Sequence, residues 1–295
     1  PEARASLPYL RHLLGTAYMR LNRVADGRAQ LARATGEQPA WLDQWLAPLA
    51  DMQFSFKSRV ERIDGLLGRL SVDPGAATVA IGELTELLRD RPGDVNLLNK
   101  LGTAYIMSGS PDRAVRPLEQ AARLDGDLAA THINLSLAWE NQGDLDRAVQ
   151  HARRATEVNS ILGDAWRQLG RVHALRSEHV EADRTLALAK RYGANDPGTT
   201  STRGWVLLRL QRLEEAERVF QSVNSSTPGF AEAWVGRGVS LIELARSSQD
   251  APTRQRRFNE ARHALSQATA IDPQAPMLED ARNQLEALQA QGGTP

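Results

Sequence analysis

The chain has 295 residues, 41% of them apolar and 5% aromatic, with 36 Lys+Arg matched by 36 Asp+Glu and no cysteine. A formal charge of zero argues against a nucleic-acid binder, which needs a cationic excess to displace counterions. The missing thiols exclude disulfides, thiolate nucleophiles, zinc–thiolate sites and CxxCH haem attachment. No apolar run reaches the roughly 18–20 residues that a membrane span requires.

The sequence starts at Pro1 without a Met or a signal-peptide pattern, so it reads as a fragment or processed form. Cytosol and periplasm both stay open as compartments. Along the chain a small residue recurs at Gly15, Gly68, Gly102, Ser136, Gly170, Gly204 and Gly238. The first step is 53 residues and every later one is 34. A second series lies twelve residues further on, at Gly27, Ala80, Ala114, Ala148, Ala182 and Ala216, and resumes late, at Ala261. Helix breakers follow at Pro39, Pro92, Gly126, Pro228 and Pro273.

Within each unit the apolar spacing is helical: Leu98, Leu101 and Tyr105, then Val115, Leu118, Ala121 and Ala122. Between them, Gly109 suits a helix C-terminus and Pro111 the first turn of the next helix. Each unit is therefore a helical hairpin. Small residues such as Gly102 and Ala114 let its two helices approach closely.

This pattern resembles the tetratricopeptide repeat family, whose helix-turn-helix signature places Trp, Leu-Gly, Tyr, Ala, Phe and Pro at set spacings. Trp166, Leu169 and Gly170 carry the resemblance in one unit, Leu101, Gly102, Tyr105, Gly109 and Ala114 in another, and Ala216, Phe220 and Pro228 in a third. It implies an all-α, right-handed superhelical solenoid of about seven repeats, at 8–41, 61–94, 95–128, 129–162, 163–196, 197–230 and 231–275. First helices would line a concave groove and second helices a convex back. A capping helix is expected over 277–290, with a disordered tail at 292–295.

Two insertions interrupt the period. One, over 42–60, holds Trp41, Trp45, Phe54 and Phe56 in or beside it and reads as cover for exposed apolar surface, as a lid over the groove, or as a self-association patch. The other, over 246–258, is expected between the helices of the last hairpin. It crowds Arg254, Arg256 and Arg257 together, either merely solvated or as an anion or acidic-peptide contact.

No phosphate-binding, dinucleotide, zincin or nucleophile-elbow motif occurs. The histidines, His12, His132, His151, His173, His179 and His263, never share a helix face at ligand spacing. The expectation is therefore a non-enzyme without metal or cofactor. Register places Asn99, Thr103, Asn134, Arg167, Arg171 and Trp205 on the groove face, a polar, partly basic strip beside one exposed indole. Asn can donate to and accept from a peptide backbone, and Arg can fork onto a carboxylate.

Some members of the family grip a C-terminal carboxylate with a Lys/Asn/Arg clamp. Asn134 matches its central Asn, but Asn99 and Thr103 stand where a Lys–Asn pair would, so the standard clamp is not expected. The reading is a scaffold holding an extended peptide or protein segment. Two alternatives are a self-assembling homo-oligomer and the substrate-recruiting arm of a larger enzyme or electron-transfer protein.

Overall fold

A computed structural model describes residues 56–69 and 74–292, with isolated positions before residue 56. The chain forms two compact units, Pro1–Gly68 and Arg69–Pro295. In the first, residues 56–67 form a helix with Ile63 buried and Lys57 paired loosely with Glu61 one turn on. Trp41, Trp45 and Phe54, the repeat expected at 8–41 and the tail after residue 292 lie outside the described residues, whereas Phe56 starts the 56–67 helix and is half-buried.

The second unit starts with helix α1 (Pro74–Asp90). Hairpins α2–α3 (Val95–Met107, Pro111–Leu124) and α4–α5 (Ala129–Asn141, Leu145–Val158) follow. Next come α6–α7 (Gly163–Leu175, His179–Arg191) and α8–α9 (Pro197–Arg209, Leu213–Ser226). The last hairpin is α10–α11 (Ala231–Ser247, Ala251–Ile271), and α12 (Leu278–Gly292) closes the unit. The described residues contain no strand. The fold is an all-α solenoid of tetratricopeptide-type hairpins.

The turns explain why each hairpin bends where it does. Gly109, Gly143, Ser177 and Gln211, spaced by one period, have φ of 74°, 81°, 62° and 59°. At each, the next residue's N–H reaches back to a carbonyl five residues earlier: Ser110 to Tyr105, Asp144 to Trp139, Glu178 to His173 and Arg212 to Leu207, all at 2.9–3.0 Å. This Schellman closure satisfies the last carbonyls of the first helix and aims the chain into the second. Asp94, Asp144, Asp196 and Asp250 cap the helices that follow them, accepting from backbone N–H groups at 2.9–3.1 Å.

Packing inside each hairpin sets a large side chain against a missing one. A Cβ on Gly102, Gly170, Gly204 or Gly238 would sit 2.4–2.6 Å from Leu118, Leu186, Phe220 or Leu265 on the partner helix. In α4–α5 the residue types change together. Ser136 replaces the glycine and Ala152 the large residue, and both are fully buried. The close approach expected of Gly102 and Ala114 thus runs through Leu118, which lies directly on the glycine.

The last hairpin corrects one expectation. Its eleven extra residues do not form a loop between the helices. α10 has 17 residues against 13 in α2, and α11 has 21 against 14 in α3, while the link between them stays at Ser248–Asp250. The reason is local: Ser248 ends α10 at φ −79°, with no left-handed residue one period after Gln211 to stop the helix sooner. Asp250 then caps α11, with Pro252 in its first turn.

α12 covers the end of the stack. Leu278, Ala281, Leu285 and Leu288 join Val235, Ile242, Phe258 and Leu265 in one buried cluster. An unpaired hairpin would leave this apolar face in water, so the cap removes an aggregation-prone surface.

Candidate functional site

Within the second unit, first helices α2, α4, α6, α8 and α10 each touch the next, while second helices meet the following first helix rather than one another. Elements that touch on one side and splay on the other make the first-helix side the inner wall of the curve. Its side chains form separate polar contacts between successive repeats.

At one end, Asn99 is 9% exposed and donates to Thr131 Oγ1 at 2.9 Å and to the Val95 carbonyl at 3.0 Å. Its Oδ1 is buried without a hydrogen-bond partner. Thr103 donates to the Asn99 carbonyl at 3.1 Å and accepts from Asn134 Nδ2 at 3.3 Å. Both Thr103 and Asn134 are half-buried. Asn99 therefore faces the seam between repeats, while Thr103 and Asn134 reach its rim.

The arginines are not free cations. Arg171 Nη2 lies 2.9 Å from Glu140 and 3.0 Å from Gln168 Oε1; Gln168 Nε2 donates to Glu140 and to buried Ser136. Arg167 pairs with Asp164 at 3.0 Å and, more loosely, with Asp196 at 3.9 Å. Burial pushes the Asp196 carboxyl up, yet hydrogen bonds from Thr199 and the charge of Arg167 hold it below its ordinary value. Both arginine side chains keep just over two-fifths of their surface in solvent, 43% and 42%. The strip expected to be partly basic is thus closer to neutral, because each cation has a carboxylate partner.

Trp205 is not an exposed indole. It is half-buried, meets Phe220 edge-on at 5.3 Å between ring centroids, and donates Nε1–H to Glu232 at 3.0 Å. Its ring joins α8 to α10 rather than standing free. The arginines of the last hairpin likewise have structural partners. Arg254 donates twice to the Ser248 carbonyl, and Arg257 donates to the Leu244 carbonyl at 2.7 Å. Arg256 is 69% exposed, with Glu260 at 3.9 Å.

Sequence reasoning missed a second ladder, on the far side of the first helices. Arg203 meets Asp183 at 2.6 Å and Arg237 meets Glu217 at 2.8 Å, one period apart. Asp183 also takes Arg212 at 2.5 Å. Earlier units carry Leu101, Leu135 and Leu169 at the place of these arginines. The signal was present as two Arg-Gly steps and two acids in the same 34-residue register.

Ring N–H groups also repeat by period. Trp166 donates to the Ser160 carbonyl and Trp234 to the Pro228 carbonyl, both at 2.8 Å. His132 takes the same place with Nε2 on the Gly126 carbonyl at 3.2 Å. That contact assigns the proton to Nε2 and leaves Nδ1 to accept from His151 Nδ1, 3.4 Å away. His173, expected to pack, is 5% exposed with Nδ1 2.5 Å from Glu178. Hydrogen bonding to His173 leads the causes that hold the Glu178 carboxyl below its ordinary value. Among the described residues no cluster of three or more His, Asp or Glu could hold a metal, and no helix is long and apolar enough to cross a membrane.

Two tetratricopeptide-repeat family models match, over residues 100–160 and 197–222. No curated protein matches the sequence. Among solved structures, YrrB, described as a tetratricopeptide-repeat protein with an unusual peptide-binding site, aligns with a TM-score of 0.53 at 20% identity, over 68% of this chain and 97% of its own. PilF of Pseudomonas aeruginosa gives 0.60 at 16% identity, over 79% and 97%. A thermophilic tetratricopeptide-repeat protein of Thermus thermophilus gives 0.53 at 19%, over 62% and 99%. At these identities the likeness speaks for the fold. The residues 100–160 and 197–222 are thus tetratricopeptide-repeat sequence, set within an all-α solenoid of period-spaced hairpins.

Proposed function

We propose that the chain is a non-catalytic scaffold that holds an extended segment of a partner protein along the inner wall formed by α2, α4, α6 and α8. One observation supports this reading: Asn134 on α4 and Arg167 and Arg171 one turn apart on the next first helix, α6, are each part-exposed and each held by neighbours. A pre-positioned row of donors loses little rotamer freedom when a ligand arrives. The carboxylates beside the arginines favour a segment that supplies both signs of charge or backbone amides rather than a lone anion. YrrB's described peptide-binding site belongs to a protein of the same fold and supports the same kind of use here.

The test is affinity capture from native extract with the wild-type chain and with Asn134→Ala/Arg167→Ala/Arg171→Ala, quantified by mass spectrometry. Specific partners should drop by about tenfold or more, since even one lost charge-assisted contact contributes roughly 1.5–3 kcal/mol. Unchanged recovery with an unchanged thermal midpoint would reject the inner wall as the binding surface.

A further inference from the structure

The lengthened α11 creates a concavity that the regular repeats lack a helix long enough to form. Its extra turns run beside α12 and leave a space of about 340 Å³, lined by Arg254, Gln255, Phe258, Asn259, Arg262 and Leu288 among others. No carboxylate belongs to that lining. Arg254 spends Nε and Nη2 on the Ser248 carbonyl, and Arg262 gives Nη2 to Asn259 Oδ1 at 3.3 Å. Arg262 also lies 5.8 Å from the Phe258 ring centroid. These partners are all neutral, so neither guanidinium charge is matched there.

This is the reverse of the first-helix strip and of the second ladder, where Arg167, Arg171, Arg203, Arg212 and Arg237 each meet a carboxylate. Phe258 and Leu288, at 8% and 9% exposure, give the concavity an apolar floor. Gln255 and Asn259 at its rim can both donate and accept, as a peptide backbone requires.

We propose that this concavity docks an acidic peptide segment of a partner protein, with an Asp or Glu carboxylate between Arg254 and Arg262 and an adjacent apolar side chain on Phe258 and Leu288. The carboxylate would replace water on two cations at once, and the forked geometry of each guanidinium suits it. A nucleic acid fits less well, because the chain carries no net positive charge. The site lies on a second helix and the cap, away from the inner wall, so it stands or falls independently of the proposed groove.

The test uses the full chain and a fluorescein-labelled Leu-Glu-Leu-Asp-Leu peptide, with its Gln/Asn counterpart, in fluorescence anisotropy. The acidic peptide should bind about tenfold tighter than the amide version and weaken steeply with salt. Arg254→Gln/Arg262→Gln should remove that advantage, whereas Asn134→Ala should leave it intact. Arg254→Lys/Arg262→Lys, which keeps the charge and loses the fork, should retain part of it. Equal affinity for the two peptides, insensitivity to salt, or full binding by the Gln variant would overturn the proposal. Co-sedimentation with phosphatidylserine vesicles that displaces the peptide would overturn it too, by making the pocket a general anion contact.

Discussion

His132 and His151 stack across the α4–α5 hairpin with ring centroids 5.6 Å apart and planes inclined by 19°. The two Nδ1 atoms face each other at 3.4 Å, an arrangement that one N–H between them satisfies. Burial first, and then the neighbouring His132, hold the His151 imidazole below its ordinary value of 6.5. The sign follows: as pH falls through 6.5 the unfolded chain takes up a proton that the folded one resists, so stability is lost on acidification. The thermal midpoint should fall between about pH 7.5 and pH 5.5, and His151→Gln should flatten that slope. A variant with the wild-type slope would assign the pH dependence elsewhere.

Phe220 lies between two glycines. A Cβ on Gly204 would meet its ring at 2.6 Å, and one on Gly236 at 2.3 Å. Gly204→Ala should therefore cost about 1–3 kcal/mol through overpacking, read from urea unfolding. The Ser136/Ala152 pair suggests the compensation: adding Phe220→Leu to Gly204→Ala should cost less than the two single changes summed. Simple additivity would show that the ring and the glycine do not share a space.

Ser177 and Gln211 hold the left-handed turn conformation that Gly109 and Gly143 fill elsewhere. An L side chain there is strained by roughly 1 kcal/mol, partly offset by the entropy glycine adds to the unfolded chain. Ser177→Gly and Gln211→Gly should each stabilise by a few tenths to about 1 kcal/mol in urea melts. Destabilisation by either would mean that the side chains contribute more to the turn than its strain removes.

Asp183 anchors Arg203 and Arg212 from the repeats' far side, and its own side chain is 14% exposed. Asp183→Asn should cost about 2 kcal/mol, because it leaves Arg203 without its acid and takes one of two acids from Arg212, which keeps Glu215. A double-mutant cycle with Arg203→Leu, the residue type found at Leu169, should recover part of the loss. No recovery would show that Arg203 does not couple to Asp183.

How much of this was legible in the sequence depends on distance along the chain. The hairpins were readable because their signals are local: Gly109 ends a helix, Pro111 starts one, and the apolar residues between repeat at helical spacing. The partners of Arg171 and Trp205 were not, since Glu140 and Glu232 lie on neighbouring repeats about one period away. Periodicity places a side chain on a face without saying which neighbour neutralises it. The lengthening of the last hairpin was misplaced into a loop, although Asp250 and Pro252 together mark the start of a helix. Ser177 and Gln211 gave no turn signal of their own; the 34-residue register alone marked them.

Hydrogen–deuterium exchange on the captured complex tests the inner-wall reading most directly. If a partner segment lies along the first helices, protection gained on binding should fall on 95–107, 129–141, 163–175 and 197–209. The second helices between them should exchange as in the free chain. Protection confined to those second helices, with the first helices unchanged, would contradict it.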